Sequence, residues 1–308
     1  MPNGILIVDK PAGWTSQDVA AKLRGVFHEK RIGHGGTLDP MATGVLPIFI
    51  GRATRAVPFF EHADKAYEAT LRLGLVTDTQ DVTGRTLEEH QVDITYEQLE
   101  SILARFRGEI QQLPPMYSAI KVNGQKLYAL ARKGKEVERA PRPVTIYELR
   151  LLPDSECWDE PRSSADKQGL SLHTDVKLLV HCSKGTYVRT LCHDIGAALG
   201  CGGCMAALRR TRAGRYGLDR AYPLEEILAA PDPEALLLPI DSLFADRPAL
   251  TVNEAAERKL RNGASLSTLN ALDGEYRVYS QSGEFLLLGS VAQGELRTVK
   301  SFFDPAAL

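Results

Sequence analysis

One acidic residue in a glycine-rich loop is the group in this sequence best suited to do chemistry. The run Gly33-His34-Gly35-Gly36-Thr37-Leu38-Asp39-Pro40 places the Asp39 carboxylate after three glycines and before a proline. Glycine lets a bulky ligand approach the backbone closely, and Pro40 favours an extended backbone at Asp39. A carboxylate held this way could act as a nucleophile or a general base. An Asp-Pro turn that only caps its own backbone is the alternative that these residues leave open.

The loop resembles the catalytic motif of the TruB family of pseudouridine synthases, which isomerise a uridine in the TΨC loop of tRNA. The resemblance spans most of residues 4–222, and its motifs come in the family's order. The similar segments are DKPAGWTS at 9–16, HGGTLDPMATGVLPI at 34–48, KAYEA at 65–69, PPMYSAIKVNG at 114–124, KGTYVRT at 184–190 and LRRT at 208–211.

The resemblance implies a catalytic role for three residues. Asp39 corresponds to the family's catalytic aspartate, Tyr67 to its active-site tyrosine, and Arg189 to the arginine that pairs with the aspartate. A tyrosine ring can stack on uracil, and its hydroxyl could transfer a proton. An arginine partner favours the ionised form of a carboxylate. The alternatives are a core tyrosine at 67 and a phosphate-contacting arginine at 189.

Four further residues are implied to bind the substrate. A uridine inside a folded tRNA loop must be flipped out of its stack before it can react, and His34 resembles the residue that fills the vacated space. Tyr187 resembles a substrate-contacting tyrosine, and Leu208 resembles an apolar pocket residue, although an ordinary core role fits its spacing as well. The resemblance places Lys10 near the active-site loop.

Charge is distributed unevenly along the 308 residues. The formal net charge is −2, yet residues 121–150 and 184–220 are locally basic, while 76–105 is acidic. Local basic patches, rather than net charge, form an electrostatic footprint for RNA. Two solvated basic faces are the alternative. The resemblance implies that 111–143 is a mobile insertion that clasps RNA.

Periodic patterns predict the elements that must position these residues. Thr15 or Ser16 can cap a helix, and Thr95 with Gln98 fits a capping box that opens a second helix. Alternation over 67–75 predicts a half-buried strand with Tyr67 on its inward face. The remaining predictions are a buried strand over 41–50, a short basic helix at 126–133, an exposed loop insertion at 154–175, a strand over 176–182 and a helix over 187–199.

The resemblance implies an α+β pseudouridine synthase fold with a mixed, mainly antiparallel central sheet flanked by helices. We expect a catalytic domain at 1–245 and a small β-rich, PUA-like RNA-binding domain at 246–308. The predicted elements of this second unit are a helix over 253–262 and strands at 275–280, 284–292 and 295–303.

The expected reaction needs no metal and no cofactor, because it is an internal rearrangement. The five cysteines, without an export signal, are expected to be reduced cytoplasmic thiols. A zinc site built from Cys192, His193, Cys201 and Cys204 is a weaker alternative. No apolar run reaches the length of a membrane span. We expect a cytoplasmic monomer that binds the tRNA T-stem-loop without an obligate protein partner.

Two other function classes stay open at this point. A non-catalytic tRNA-binding or tRNA-folding protein would explain the basic segments equally well, but it would need none of Asp39, Tyr67 and Arg189. A guide-RNA-dependent synthase of the dyskerin type works within a multi-protein particle, and the intact 111–143 insertion favours the stand-alone type instead. The Gly33–Gly36 loop lacks the Gly-Lys-Ser/Thr ending of a nucleotide triphosphatase.

Overall fold

The structure is a computed structural model that describes residues 1–118, 120–122, 124–131, 134–153, 175–267 and 271–304. The helices are α1 Ser16–Phe27, α2 Val57–Phe60, α3 Tyr96–Arg105, α4 Leu127–Ala131, α5 Val188–Leu199, α6 Leu224–Ala229 and α7 Glu254–Arg261. The strands are β1 Gly4–Lys10, β2 Ile32–His34, β3 Thr43–Ile50, β4 Lys65–Leu73, β5 Leu75–Thr77, β6 Thr86–Glu89, β7 Gly108–Gln112, β8 Lys121–Val122, β9 Gln125–Lys126, β10 Arg142–Leu151, β11 Asp175–Cys182, β12 Gly203–Ala213, β13 Tyr216–Gly217, β14 Tyr222–Pro223, β15 Ala249–Val252, β16 Leu266–Ser267, β17 Gly274–Ser280, β18 Phe285–Ala292 and β19 Glu295–Ser301.

A large mixed sheet forms most of the fold. Within the described residues it has ten strands, eight of them in the order β14-β1-β3-β12-β4-β11-β10-β7, with β13 beside β12 and β2 beside β3. The β1–β14 and β3–β12 pairs are parallel and the other neighbours are antiparallel. Helix α5 packs against β12, and α3 packs against α5 and β10. The predicted α+β class is therefore confirmed.

The helices begin where their capping residues predict. Thr15 accepts from the backbone of Asp18 and completes a capping box, so Thr15 rather than Ser16 is the cap of α1. Thr95 and Gln98 form the predicted box at the start of α3. Satisfying the free N–H groups of a first turn stabilises a helix by about 1 kcal/mol. These two sites therefore fix where the chain turns from loop to helix.

The strand predicted over 67–75 is shorter than expected. Burial alternates along β4 as far as Leu73, but Gly74 has a positive φ of 86° and its N–H donates to the Gly202 carbonyl at 3.1 Å. Leu75 then begins β5, which pairs with β6, so its assignment to the same strand is wrong. The positive φ that glycine tolerates redirects the chain at this point.

Two predicted segments fall partly outside the described residues. Helix α4 covers 127–131, within the predicted basic helix at 126–133, whose residues 132 and 133 lie outside the description. The predicted exposed insertion at 154–175 lies outside it except for Asp175, which opens β11. No helix in the described ranges is both long and apolar enough to cross a membrane.

A second sheet, β15-β17-β18-β19-β16, contains the three predicted C-terminal strands, and the helix predicted over 253–262 is α7, capped by Asn253. Its core continues into that of the first sheet through a set of aromatic rings. Phe302 lies 5.9 Å from Phe244 and 5.2 Å from Phe285, measured between ring centroids, in a cluster that also contains Ile5. Arg55 donates to the Ser301 carbonyl at 3.1 Å across the same joint. We propose the domain boundary at residues 245–246, between the last short helical turn and β15.

Candidate active site

The loop that carries Asp39 connects β2 to β3 and is fastened to the start of α1. The Ser16 hydroxyl accepts from the Leu38 N–H at 2.8 Å and donates to the Leu38 carbonyl at 3.2 Å. The Gly13 N–H donates to the Pro40 carbonyl at 2.8 Å. The two residues that flank Asp39 are thus held through their backbones, and this fixes the position of the Asp39 backbone from which its side chain extends.

Two glycines beside the loop are required by close packing. Gly44, at the start of β3, has a φ of 98°, and a Cβ there would lie 2.2 Å from the Arg210 carbonyl oxygen of β12. A Cβ on Gly35 would lie 2.5 Å from the ring of Phe60. Any larger residue at either position would push β3 away from β12 or displace the loop.

Arg210 is a buried arginine whose side chain holds the same loop through hydrogen bonds to backbone carbonyls. Its Nε donates to the Val45 carbonyl at 2.6 Å and its Nη2 to the Gly36 carbonyl at 3.2 Å. Its side chain is 1% exposed, and burial lowers its pKa. Arg210 lies in the LRRT motif at 208–211, but the motif alone indicates no role for it. Its burial depends on the neighbouring strands β3 and β4, which no local pattern reports.

Arg189 is the centre of the site. It is the second residue of α5 and is buried, with its Nε 3.0 Å from Asp39 Oδ2 and its Nη1 3.4 Å from Asp81 Oδ2. Nη1 also donates to the Thr79 carbonyl at 3.2 Å, and Nη2 to the Tyr117 carbonyl at 2.9 Å. One guanidinium therefore joins two carboxylates, the 77–83 turn and the 111–143 segment.

Asp81 is the second carboxylate of the site, and sequence reasoning missed it. It is 4% exposed, and its Oδ1 accepts from the Thr79 hydroxyl at 2.8 Å and from the Thr83 N–H at 3.0 Å. These bonds leave Oδ2 facing Arg189. Met205 of β12 exchanges backbone hydrogen bonds with Gln80 and Val82, which holds the turn on the sheet. The Asp-Thr-Gln-Asp run looks like an ordinary polar turn in the sequence, so only the packing shows that it is buried.

Asp39 itself remains reachable from solvent, since its side chain is 36% exposed while that of Arg189 is 7% exposed. Burial of its surroundings raises the pKa of Asp39, and the Asp81 carboxylate adds to the rise. Arg189 and Lys10 act in the opposite direction and lower it. The outcome is a carboxylate that is partly desolvated yet paired with a cation, and such a group can react with a ligand that reaches it from solvent.

The two predicted tyrosines lie close enough to Asp39 to interact with its charge. Tyr67, on the inward face of β4, is 8% exposed, and burial raises its pKa while Arg210 lowers it in part. Tyr187 is the residue before α5, and its backbone is fixed by both ends of the Gln112 amide, at 2.8 and 3.0 Å. Burial raises the pKa of Tyr187 as well. Both phenols therefore stay protonated at neutral pH.

Lys10 is completely buried and points at the loop rather than at solvent. Its Nζ donates to the carbonyls of Trp14 at 2.7 Å, Pro11 at 2.9 Å and Pro40 at 3.3 Å. Desolvation lowers its pKa to about 8, although the Asp39 carboxylate raises it in part. These contacts make Lys10 a brace for the loop next to Asp39.

His34 and Leu208 lie on strands β2 and β12. His34 is half-buried on β2, burial lowers its pKa, and its Nδ1 makes no hydrogen bond within the described part of the chain. Leu208 lies on β12 opposite Ala69 and packs against the main hydrophobic core. The structure therefore brings Asp39, Arg189, Lys10 and the two tyrosines together, and leaves Leu208 partly buried against the hydrophobic core.

The four cysteines within the described ranges show no metal-binding arrangement. Among the described residues, no three His, Cys, Asp or Glu side chains group closely enough to hold a metal ion. Cys182, Cys192, Cys201 and Cys204 are free and buried, and desolvation raises the pKa of each thiol, to about 11 for Cys182 and Cys204. Thiols of this kind are poor metal ligands and poor nucleophiles at neutral pH.

Family models match most of the chain. Residues 24–188 match the TruB family pseudouridylate synthase N-terminal domain, and residues 189–245 match the tRNA pseudouridylate synthase B C-terminal domain. Curated relatives include tRNA pseudouridine synthase B of Francisella philomiragia, 40% identical over 98% of this chain and 95% of that protein. The enzyme of the same name from an Azoarcus species is 43% identical over 96% and 93%.

Solved structures share the fold at lower sequence identity. A chain in the crystal structure of a Cbf5-Nop10-Gar1 complex aligns with a TM-score of 0.70 and 24% identity, covering 98% of this chain and 86% of that one. A chain from a structure of an H/ACA RNP bound to a substrate RNA containing 2′-deoxyuridine aligns with a TM-score of 0.69 and 22% identity, at the same coverage.

Proposed function

The chain belongs to the TruB family and is a tRNA pseudouridine synthase, and from this premise we propose that it modifies the uridine at position 55, in the TΨC loop of elongator tRNAs. The enzyme breaks the bond between ribose C1′ and uracil N1, rotates the base and joins C1′ to C5. The composition of the uridine does not change, because C5 loses a proton and N1 gains one. The reaction requires a carboxylate, an acceptor for the C5 proton and a shielded pocket.

The observation that carries this proposal is the reachable Asp39 carboxylate paired with the buried Arg189. A non-catalytic tRNA-binding protein has no use for a partly desolvated carboxylate held on a braced loop. In the proposed mechanism Asp39 stabilises or attacks the electron-poor sugar or base, and Arg189 keeps it ionised. Tyr67 and Tyr187 line the uracil site, and Lys10, Ser16 and Arg210 hold the loop.

The RNA contacts are proposed on both sides of this cleft. His34, with its free ring nitrogen, fills the space left by the flipped uridine, and Leu208 lends an apolar wall. The 111–143 segment clasps the RNA, and its Tyr117 carbonyl connects it to Arg189. The unit from 246 onwards adds contacts to the rest of the tRNA.

The direct test is incubation with an unmodified tRNA transcript, followed by mapping of pseudouridine at single-nucleotide resolution. We expect one modified position in the TΨC loop and modification of an isolated T-stem-loop as well. Tight binding without any pseudouridine would favour the non-catalytic alternative. Modification only at another position would leave the enzyme class standing and overturn the proposed site.

As the pH is lowered, we expect the enzyme to lose activity at a higher pH than it would if Asp39 had the pKa of an ordinary aspartate. The reaction needs ionised Asp39, and its raised pKa means that lowering the pH protonates it above the usual value of about 3.9. We therefore expect kcat/KM to fall through an acid limb that lies above this value. Circular dichroism over the same range must show that the fold persists, and a constant rate down to the ordinary aspartate range would contradict the expectation.

Two Tyr67 variants are expected to distinguish the contribution of the aromatic ring to activity from that of the hydroxyl group. Tyr67→Phe keeps the ring on β4 but removes the group that faces Arg210, and we expect it to lower kcat about 10²–10⁴-fold, the range for a positioned acid or base. Tyr67→Leu also removes the stacking surface and should raise KM as well. Full activity of the Phe variant would limit Tyr67 to stacking, and full activity of the Leu variant would exclude both roles.

A further inference from the structure

Gln112 is a buried polar residue to which the proposed reaction gives no role. It is the last residue of β7, at one end of the strand order of the large sheet, and it is 1% exposed. Pro114 and Pro115 follow almost at once, and proline has no N–H to donate to a ladder, so the strand ends here. A buried side-chain amide needs hydrogen-bond partners, and in this case the partners indicate what the residue does.

Both ends of the Gln112 amide bind the backbone of a single residue, Tyr187. Oε1 accepts from the Tyr187 N–H at 2.8 Å, and Nε2 donates to the Tyr187 carbonyl at 3.0 Å. A glutamine can make this pair of bonds because its amide carries a donor beside an acceptor. Two hydrogen bonds to one residue fix both its position and the direction in which its backbone runs.

Tyr187 is the residue at which α5 begins, and its own side chain does not cap the helix. Helix starts are commonly held by a Ser, Thr, Asp or Asn side chain that accepts from the first turn. The Tyr187 side chain makes no such bond within the described ranges, and its carbonyl already accepts from the Leu191 N–H at 3.0 Å, inside the first turn. The start of α5 is therefore positioned by Gln112, a residue 75 positions earlier in the chain.

Arg189 lies two residues after Tyr187, so the backbone that carries it moves with the start of α5. Its Nε is 3.0 Å from Asp39 Oδ2, a distance that a small displacement of the helix would lengthen beyond a hydrogen bond. The segment that follows Gln112 also holds the far end of the same side chain, because the Tyr117 carbonyl accepts from Arg189 Nη2 at 2.9 Å. Residues 112–117 thus support Arg189 through its backbone and through its guanidinium.

We propose that Gln112 is a positioning residue for the reaction, which sets the start of α5 so that the Arg189 guanidinium meets the Asp39 carboxylate. It acts through the Tyr187 backbone. A reacting group that is misplaced by about 1 Å can lose about 10²-fold in rate, so the effect belongs in kcat. This inference rests on the proposed function, because it takes Asp39 and Arg189 as the reacting pair.

Gln112→Met keeps the length of the side chain and removes both hydrogen bonds. We expect kcat to fall about 10- to 100-fold, measured by single-turnover kinetics on a T-stem-loop RNA at saturating enzyme and expressed per folded molecule. Gln112→Asn keeps an amide that is one methylene shorter, so it serves if the Met variant folds poorly, and its kcat should fall in the same direction. Gln91→Met makes the same change at an exposed glutamine and should match wild type.

The pH–rate profile distinguishes positioning from a loss of stability. Burial and the Asp81 carboxylate raise the pKa of Asp39, whereas Arg189 and Lys10 lower it. If Arg189 retreats from Asp39, part of the lowering is lost and the pKa of Asp39 rises. We therefore expect the acid limb of kcat to move to higher pH in Gln112→Met. Circular dichroism identifies the pH range in which the fold persists, and within that range a lower stability alone leaves the limb in place.

A double substitution tests whether Gln112 acts through Arg189. In Arg189→Gln the partner of Asp39 is already absent, so there is nothing left for Gln112 to position. Adding Gln112→Met to this variant should therefore lower kcat by no more than about 2-fold, the usual scatter of additive effects.

Three results would overturn the inference. A wild-type kcat in both Gln112 variants would show that the two hydrogen bonds are not needed for the reaction. A reduced kcat with an unmoved acid limb would make Gln112 a structural residue only. A loss of kcat in the Arg189→Gln background as large as in wild type would place the effect elsewhere. Failure of the wild-type enzyme to form pseudouridine would instead refute the proposed function, and it is detected before any Gln112 variant is made.

Discussion

Asp39→Asn is expected to abolish pseudouridine formation, with a rate at least about 10⁴-fold below wild type, the scale of losing the central reacting group of a site. The amide keeps the shape of the side chain but carries neither charge nor nucleophilicity. Arg189 still pairs with Asp81, so the fold and the RNA surface should persist. Single-turnover kinetics on a tRNA transcript measure the rate, and a filter-binding isotherm measures tRNA affinity, which should change little.

The control for this variant is Asp93→Asn, which makes the same chemical change at an exposed residue. It should keep the wild-type rate and affinity. Substantial turnover by Asp39→Asn would remove Asp39 from the chemistry, and a loss of binding as large as the loss of rate would give it a structural role instead.

Replacing Arg189 by Gln is expected to damage both activity and stability. The two carboxylates of Asp39 and Asp81 would then face each other without the cation that joins them, and removing one partner of a buried ion pair typically costs about 3–5 kcal/mol. The rate should fall about 10²–10³-fold, as when one preorganised electrostatic partner is lost. Arg189 lowers the pKa of Asp39, so its loss should move the acid limb of the pH–rate profile to higher pH.

A second substitution distinguishes the two effects. In Arg189→Gln with Asp81→Asn, one of the uncompensated charges is gone, so urea denaturation should show recovery of part of the lost stability. The rate should stay low, because Asp39 still lacks its partner. Arg105→Gln, at an exposed position on α3, is the control and should match wild type in both measurements. Equal stability of Arg189→Gln and wild type would show that the guanidinium is not needed to hold the two acids.

Local signals in the sequence account for much of the fold. The capping residues Thr15 and Thr95 begin helices where they predict, because caps act on the next few residues only. The motifs also name Asp39 and Arg189, which lie 3.0 Å apart although they are separated by 150 positions in the chain. That juxtaposition was available only through the family resemblance, since no spacing rule connects a loop with a distant helix start.

The supporting residues could not be predicted in the same way. Asp81 lies in a polar turn that looks exposed until β12 is seen to hold it, and Arg210 looks like one more member of a basic stretch. Whether a charged side chain is buried depends on partners from other strands, and the sequence does not report them. The same limit explains Leu75, whose alternation fits β4 although Gly74 has already turned the chain.

The aromatic cluster between the two sheets holds them at a fixed distance, unlike two domains joined by a flexible linker. Phe244, Phe285 and Phe302 continue the core of one sheet into the other, so the span between the catalytic cleft and the C-terminal surface does not vary with a linker. A tRNA could bind both surfaces at once only if the distance across its elbow matches the distance between them. A flexible linker would tolerate a difference between these two distances, whereas this packed cluster does not. If the C-terminal surface contacts tRNA as proposed, this hydrophobic packing would favour a correctly folded elbow over a distorted one.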